Sequence, residues 1–510
     1  MVADFSNLFI GLENSIREAA LALDRSARGI VLVVDEERTL LNTITDGDIR
    51  RAMLAGVNLA SPITALLQRK EDSPYRIPVT APADTERSLL LKIMQERNVR
   101  QIPLLDEKGR VVDLVTLPEL LPDEVLSVVI PLSVPLFSGN EWKYLKECLD
   151  SNWVSSAGPF VDRFERMVAD YAGTQHGVAI VNGTAALHTA LLIAGVEPDD
   201  EVLVSTLTFI APVNTIRYAG AWPVLIDAEP AHWQMDPQRV ADFLDNECRW
   251  QNHELRNKAT GRRVKAIMPV HILGHPCDMD PILAAARKYD LIVIEDATES
   301  LGSEYKGRKT GRLGDIGCFS FNGNKIITTG GGGMIVTDDA KWTAKAKYLS
   351  TQAKDDPIEY VHNEIGFNYR LTNIQAALGC AQMEQLNETL SKKRAIADRY
   401  GSALGDVPGV SLMPQASWAN SNFWMYTVLI DAAIYGENSR ALLKRLAKQD
   451  IQSRPLWQPM HQSPACRDFQ VRGGEVADLL HRDGLTLPCS AGLPLDDQDR
   501  VIDAIQAGVH

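Results

Sequence analysis

Seven short apolar runs between residues 178 and 337 constrain the fold of this 510-residue chain more than any other feature. They are VAIV (178–181), VLVS (202–205), PVLI (223–226), KAIMPV (265–270), LIVIED (291–296), CFSF (318–321) and GMIVT (333–337). Segments of helical character such as AALHTALLIAG and DPILAAARKY separate many of them. Continuous apolar runs, unlike alternating ones, suit strands buried on both faces. With helices between them they make a mainly parallel sheet covered on both sides. Ligands of such sheets sit beyond the carboxyl ends of the strands. The unusual residues of this chain fall there.

Asn182-Gly183-Thr184 follows the first run and opens a helix. Free amides at a helix start, beside a glycine that permits close approach, make a phosphate cradle. Strand–Gly–Thr–helix turns are also common without a ligand. Asp296 ends the fifth run, where a carboxylate can pair with a cationic ring nitrogen; a strand-terminal Asp also serves as a helix cap. Ser320 and Lys325 lie between the sixth run and the glycines at 330–333. A lysine held in a cleft is a nucleophile. Its ordinary place is the solvated surface, and the glycines fit a flexible turn equally. Gly366 to Asn373 leads into another helix.

Phosphate turn, strand-end Asp, then Ser and Lys on a later strand is the layout of fold-type I enzymes that use pyridoxal phosphate. The blocks NGTAALHTAL, TLTFIAPVNTIRYAGAWPV, PVHILGHPCDMDPI, IEDATESLGSEYKG, GDIGCFSFNGNKIITTGGGGMIVT and NEIGFNYRLTNIQAA resemble the DegT/DnrJ/EryC1/StrS family of sugar aminotransferases. The resemblance runs from about Pro135 to the C-terminus. It implies an α/β large domain over 135–390, with a mainly parallel seven-stranded sheet and helices on both faces. A small α+β C-terminal domain covers 391–510. Lys325 is then the lysine that bonds pyridoxal phosphate, which cycles through pyridoxamine phosphate. Asp296 faces the pyridine nitrogen, and Phe209 stacks on the ring. Gly183, Thr184 and Ser320 hold the phosphate. Asn368 reaches the phosphate of the neighbouring subunit's cofactor, which implies a homodimer with shared active sites. Glu299 stands near the phenolic oxygen, where many members carry Gln or His. Arg454 and His461 are candidates to meet a substrate phosphate or sugar, and equally suit ordinary surface positions.

The resemblance also implies L-glutamate as amino donor and a nucleotide-linked keto sugar as acceptor. Within the family the chain looks most like the branch that makes UDP-4-amino-4,6-dideoxy-N-acetylglucosamine. That branch aminates C4 of UDP-2-acetamido-2,6-dideoxy-4-keto-glucose for bacillosamine- and legionaminic acid-type glycans. A GDP-perosamine-type synthase is the alternative, with the same chemistry on a GDP sugar. A sugar dehydratase of this family would carry His at the position of Lys325. A non-catalytic nucleotide-sensing protein would need neither Lys325 nor Asp296.

The first 122 residues contain a duplication. VVDEERTLLNTITDGDI from Val33 matches LLDEKGRVVDLVTLPEL from Leu104 at a constant offset of 71. Asp35 pairs with Asp106, Glu36 with Glu107, Thr45 with Thr116 and Asp48 with Glu119. Each unit reads helix, strand, acidic turn, strand, helix, and two half-cores of this kind require each other. The repeat and TITDGDIRRAM resemble a CBS-domain pair. The resemblance implies an α+β module over 1–122 that binds an adenine nucleotide through Thr45, Asp48 and Thr116; a module used only for assembly is the other reading. Residues 123–134 form a linker in a stretch punctuated by Pro118, Pro122, Pro131 and Pro135.

Charge and cysteine content narrow the remaining classes. Lys plus Arg is 52 against Asp plus Glu 66, a formal charge of -14, unsuited to binding nucleic acid. The most apolar stretch, Val111 to Phe137, is broken by Asp113, Glu119, Asp123, Glu124 and four prolines, so no membrane span is expected. Seven cysteines without a CxxC pair, and no HExxH, predict a reduced compartment and no metal. The first residues lack the basic and apolar runs of a secretory signal, and the expected location is cytoplasmic.

Overall fold

The computed structural model describes residues 8–26, 29–70, 76–97, 99–116, 129–356 and 358–508. The chain divides into two compact units, Met1–Val128 and Val129–His510.

In the larger unit all seven expected strands are present: β1 (His176–Ile180), β2 (Glu201–Ser205), β3 (Trp222–Ile226), β4 (Val264–Met268), β5 (Ile292–Asp296), β6 (Ile316–Ser320) and β7 (Gly333–Thr337). An eighth, β8 (Gln470–Arg472), comes from the C-terminal region and pairs parallel with β3. The order across the sheet is β8-β3-β2-β4-β5-β6-β7-β1. Only β7 runs against its neighbours. The carboxyl ends of β1, β5 and β6 therefore share one rim with the start of β7.

Strand side chains alternate between two layers, as the period of two requires. Val178, Ile180, Val202, Val204, Ile294, Ile316, Cys318 and Ile335 pack in one core with Ala186, Leu187 and Leu191 of the helix Gly183–Ile193. The opposite face is split. Ala179, Phe319, Met334 and Val336 meet Phe164 and Cys380, while Leu203, Val224, Ile226, Ile267 and Val293 meet Ile282. Both faces are thus dry, which explains why the runs are continuously apolar.

The C-terminal part is a four-stranded antiparallel sheet of Val410–Ser411, Tyr426–Ile430, Gly484–Leu487 and Arg454–Pro455, with helices including Leu386–Leu404 and Leu495–Gln506. Its core is continuous with that of the large sheet. The helix Leu386–Leu404 runs through position 391, so that boundary falls inside an element. Part of the expected linker is also fixed here: the Ile130 amide donates to Asp450 O at 2.8 Å, and Cys489 N donates to Leu132 O at 2.9 Å.

In the smaller unit the offset of 71 holds down to individual backbone pairs. Val31 faces Ile44 and Ile102 faces Val115; Val33 faces Asn42 and Leu104 faces Asp113. The irregularity between Val33 and Val34 recurs between Leu104 and Leu105. Asp35 Oδ1 accepts the Glu37 and Thr39 amides, and Asp106 Oδ1 accepts the Lys108 and Arg110 amides, so each acidic turn is closed by its own carboxylate. The two turns meet each other. Thr39 bridges Arg110, Leu40 N donates to Gly109 O and Val111 N donates to Arg38 O. A shared core of Leu32, Val34, Val111 and Leu114 lies beneath them. The paired packing expected of the repeat is present.

Among the described residues no helix is long and apolar enough to cross a membrane, and no group of three His, Cys, Asp or Glu could hold a metal. The seven cysteines are buried free thiols.

Candidate active site

A cavity of about 360 Å³ opens at the rim where β1, β5 and β6 end. Gly183, Thr184, Phe209, Asp296, Glu299, Ser320 and Lys325 all line it, together with Thr208, Thr298, Trp424 and Trp457.

Strand register explains how they meet. Asp296 lies opposite Cys318, and Ser320 opposite Gly333, which in turn pairs with Ile180. The next residues after Ile180 enter the helix Gly183–Ile193, capped by Asn182 Oδ1 on Ala185 N at 2.7 Å. The first-turn amides of Gly183 and Thr184 have no intrahelical acceptor, and both residues line the cavity. Glycine is required at two of these contacts. A Cβ at Gly183 would stand 2.8 Å from Ser320 Cβ, and one at Gly333 would stand 2.5 Å from Asn182 O. The last glycine of the run is therefore a packing requirement and not a loose turn.

The neighbouring carboxylates on β5 have opposite fates. Asp296 shares the face of Ile294 and looks into the cavity, where its Oδ1 accepts the Thr298 amide at 3.1 Å. Burial raises its carboxyl above the usual range. Glu295 points to the other layer. It accepts the amides of Gly311, Leu313 and Gly314 and faces His271 Nε2 at 3.0 Å. Cys277 N donates to His271 Nδ1, so the proton of that ring sits on Nε2 and points at Glu295. This second carboxylate is a structural anchor beneath the site.

Lys325 Nζ lies 3.7 Å from Glu299 Oε1 and 4.0 Å from the centre of the Trp424 ring. Glu299 Oε2 accepts the Leu273 amide at 2.8 Å. Burial pushes the Glu299 carboxyl up to about 7, against the pull of the Lys325 ammonium. The folded apoprotein thus binds this proton more tightly than the unfolded chain. The associated stability is complete below about 4.5 and is lost as the pH rises through about 7. Glu299→Gln is expected to flatten the fall of the apoprotein's denaturation midpoint across that window. An unchanged slope would assign the effect to another group.

Two buried polar atoms in the cavity wall, Thr208 Oγ1 and Asn324 Oδ1, have no partner among the described residues. Free first-turn amides, orphaned hydroxyl and amide oxygens, a buried carboxylate and a lysine amine in one cavity fit an anionic ligand that carries a basic ring and a carbonyl.

Residues 137–506 match the DegT/DnrJ/EryC1/StrS aminotransferase family. The chain belongs to that family. It is 42% identical to the GDP-perosamine synthase of Caulobacter vibrioides over 74% of this chain and 97% of that one. It is 39% identical to the GDP-perosamine synthase of Escherichia coli O157:H7 over 70% and 93% of the two chains. Among solved structures, DesV of S. venezuelae superposes with a TM-score of 0.65 at 30% identity, over 72% of this chain and 94% of that chain. Residues 2–55 and 74–122 match the CBS domain. Aminotransferases of the DegT/DnrJ/EryC1/StrS family depend on pyridoxal phosphate, and this one is a sugar-nucleotide aminotransferase with the same cofactor.

Three expected site residues lie outside this cavity of the sugar aminotransferase, as expected for Asn368, which was read as belonging to the neighbouring subunit's site. Asn368 is exposed, its backbone bridged to Thr351, and does not line its own chain's cavity. Arg454 is exposed and donates to Ser453 O at 2.9 Å. His461 uses both ring nitrogens within the protein, Nδ1 with Thr206 Oγ1 at 2.8 Å and Nε2 with Asp478 Oδ1 at 2.9 Å. It ties the end of β2 to the helix Glu475–Asp483 and is outside the cavity lining. In the other direction, Trp424 and Trp457 line the site without having been expected to. Trp424 lies just before the strand Tyr426–Ile430 and Trp457 just after the strand Arg454–Pro455, and only the tertiary fold brings them to the cavity of Lys325.

The smaller unit has its own cavity of about 490 Å³, lined by Thr45, Asp48, Arg51 and Lys70 among others. Thr45 and Asp48 first serve the helix Asp46–Leu54, because Asp48 Oδ2 accepts both Thr45 N (2.9 Å) and Thr45 Oγ1 (2.8 Å). Arg51 Nη2 donates to Asp48 Oδ1 at 2.7 Å, and the buried Lys70 Nζ lies 3.6 Å from Oδ2. Burial pulls the Asp48 carboxyl up, but Lys70 and the Thr45 bonds hold it below the ordinary range. Thr116 ends the strand Val111–Thr116 and does not line this cavity. Glu119, the repeat counterpart of Asp48, lies outside the described residues.

Proposed function

We propose that this enzyme moves the amino group of L-glutamate to C4 of a nucleotide-linked 4-keto-6-deoxy sugar, with a GDP-linked acceptor. One observation carries the reading: the Lys325 amine, the buried Asp296 carboxylate and the open helix start at Gly183 share one cavity. Bound there, pyridoxal phosphate supplies the electron sink for a carbon that loses its proton. The amides of Gly183 and Thr184 and the Ser320 hydroxyl hold the phosphate, and Phe209 covers the ring. Asp296 keeps the ring nitrogen protonated. Lys325 would hold the cofactor through its amine and, once released from it, would serve as the base of the site. It takes the proton from the donor's α-carbon, and in the second half-reaction it delivers one to C4 of the sugar. Glu299 faces the same amine throughout.

Relatives named GDP-perosamine synthase, at 42% and 39% identity, favour the GDP-linked acceptor. The UDP-linked acceptor is the second reading, favoured by GDIGCFSFNGNKIITTGGGGM and YVHNEIGFNYRLTN. Purified enzyme with L-glutamate and a panel of UDP- and GDP-linked 4-keto-6-deoxy sugars separates them by product mass. A faster GDP sugar supports the first and a faster UDP sugar the second; amination of neither overturns both.

The exposed Asn368 suits a site completed across a homodimer. Mixing Lys325→Ala chains with Asn368→Ala chains is expected to restore activity toward one good site per mixed dimer. No recovery, once subunit exchange is demonstrated, contradicts sharing.

In the smaller unit, Arg51 and Lys70 suit the phosphate of an adenine nucleotide, with Thr45 and Asp48 toward its ribose. Calorimetry with AMP and ATP is expected to show binding that Thr45→Ala/Asp48→Ala weakens at least tenfold. The same change removes a helix cap worth about 1 kcal/mol, so the unit's fold must be checked alongside. Absence of binding to the wild type leaves assembly as the module's role.

A further inference from the structure

Several parts of the molecule converge on Trp424, which lines the cavity beside Lys325. Its indole Nε1 donates to the carbonyl of Asn324 at 2.7 Å, and its ring centre lies 4.0 Å from Lys325 Nζ. One side chain thus touches both the peptide that enters Lys325 and the amine at its far end. Trp457 stacks on the same indole, with centres 6.0 Å apart and planes 22° from parallel.

The backbone of Trp424 is held as tightly as its ring. Its amide donates to Asn422 Oδ1 at 2.8 Å. The fully buried Asn422 spends its own amide protons on the carbonyls of Glu299 and Leu301, both at 2.9 Å. The Trp424 carbonyl accepts from Lys393 Nζ at 2.8 Å, and that buried lysine also donates to Cys489 O. Between Asn422 and Trp424, Phe423 has φ +48, a left-handed conformation that a bulky residue adopts only under constraint. A buried indole N–H needs an acceptor wherever it packs; here the acceptor is the peptide that enters Lys325, and the ring face meets that same residue's amine.

We propose that Trp424 is the positioning residue of Lys325. A lysine side chain has four rotatable bonds, and an amine free to sample them spends little time aimed at one carbon. The Asn324 bond fixes where the side chain starts, and the ring face gives the ammonium a fixed resting place. Asn422 and Lys393 hold the indole in turn, and Asn422 joins this support to the backbone of Glu299. The proposal rests on the reading of Lys325 as the lysine that bonds the cofactor.

The test uses the full-length apoprotein mixed with pyridoxal phosphate. The Lys325 amine condenses with the aldehyde carbon and releases one water. Borohydride quenching at successive times then reduces the C=N bond to a secondary amine, which peptide mass mapping locates. Wild type first establishes that the label is on Lys325; a label elsewhere refutes that underlying reading and not the role of Trp424. Trp424→Leu is expected to load Lys325 about tenfold more slowly and to lose most of the visible circular dichroism of the bound cofactor. Trp424→Phe keeps a ring face and loses the N–H, and should fall between the two. Loading and dichroism equal to wild type in both variants overturn the proposal. Should Trp424→Leu not fold, Trp424→Phe decides: about threefold slower loading supports positioning, and an unchanged rate refutes it.

Discussion

Lys325→Ala is expected to abolish transamination and to remove the visible absorbance of lysine-bound cofactor. Alanine provides neither the amine that bonds the cofactor nor the base that moves the proton, so two functions vanish together. Among the described residues Lys325 is the lysine that lines the cavity with Asp296 and Glu299, so no other amine of that lining replaces it. A positioned general base alone contributes on the order of a hundred- to ten-thousandfold, and the loss here should reach at least the upper end. Turnover by mass detection and absorbance of the loaded protein check it. A variant with wild-type turnover would refute the assignment.

Asp296→Asn is expected to lower kcat by at least tenfold while weakening cofactor binding much less. Burial already raises the Asp296 carboxyl, so an empty cavity holds this charge at a cost. A cationic ring nitrogen beside it offsets that cost and is itself held protonated. Each unit by which that nitrogen's pKa falls corresponds to about 1.4 kcal/mol. Asparagine keeps the shape and can accept the Thr298 amide, but it carries no charge. The expected signature is therefore in the proton-transfer step, read as kcat and as the deuterium isotope effect with α-deuterated glutamate. Equal kcat in the two proteins would remove Asp296 from this role.

Much of the site was legible because it is written locally. Each of Gly183, Asp296 and Ser320 ends or follows a strand, and a covered parallel sheet gathers such ends on one rim whatever its loops do. The period of two even separates Asp296 from Glu295, although adjacent carboxylates look alike in one dimension. Residues whose roles depend on distant partners were not legible. His461 looked available, but Thr206 and Asp478, distant in the chain, occupy its nitrogens. Trp424 reached Lys325 only through Asn422, Lys393 and the folded C-terminal sheet. The Thr45-x-x-Asp48 pattern carried two meanings at once, helix cap and ligand contact, and the structure displays the first directly. The strand β8 gave no signal, since three half-buried residues show no period.

That late strand has a consequence for how the chain is made. The outer edge of β3 is closed by Gln470–Arg472, which leave the ribosome long after β3 itself. At typical elongation rates the interval is on the order of ten to fifty seconds. During it the nascent large sheet presents an unpaired strand, a template for pairing with other chains. Truncation just before Gln470 should leave that edge permanently open, and slower synthesis should prolong its exposure. Yield in the cell is then governed by chaperone occupancy during translation as well as by the stability of the finished enzyme.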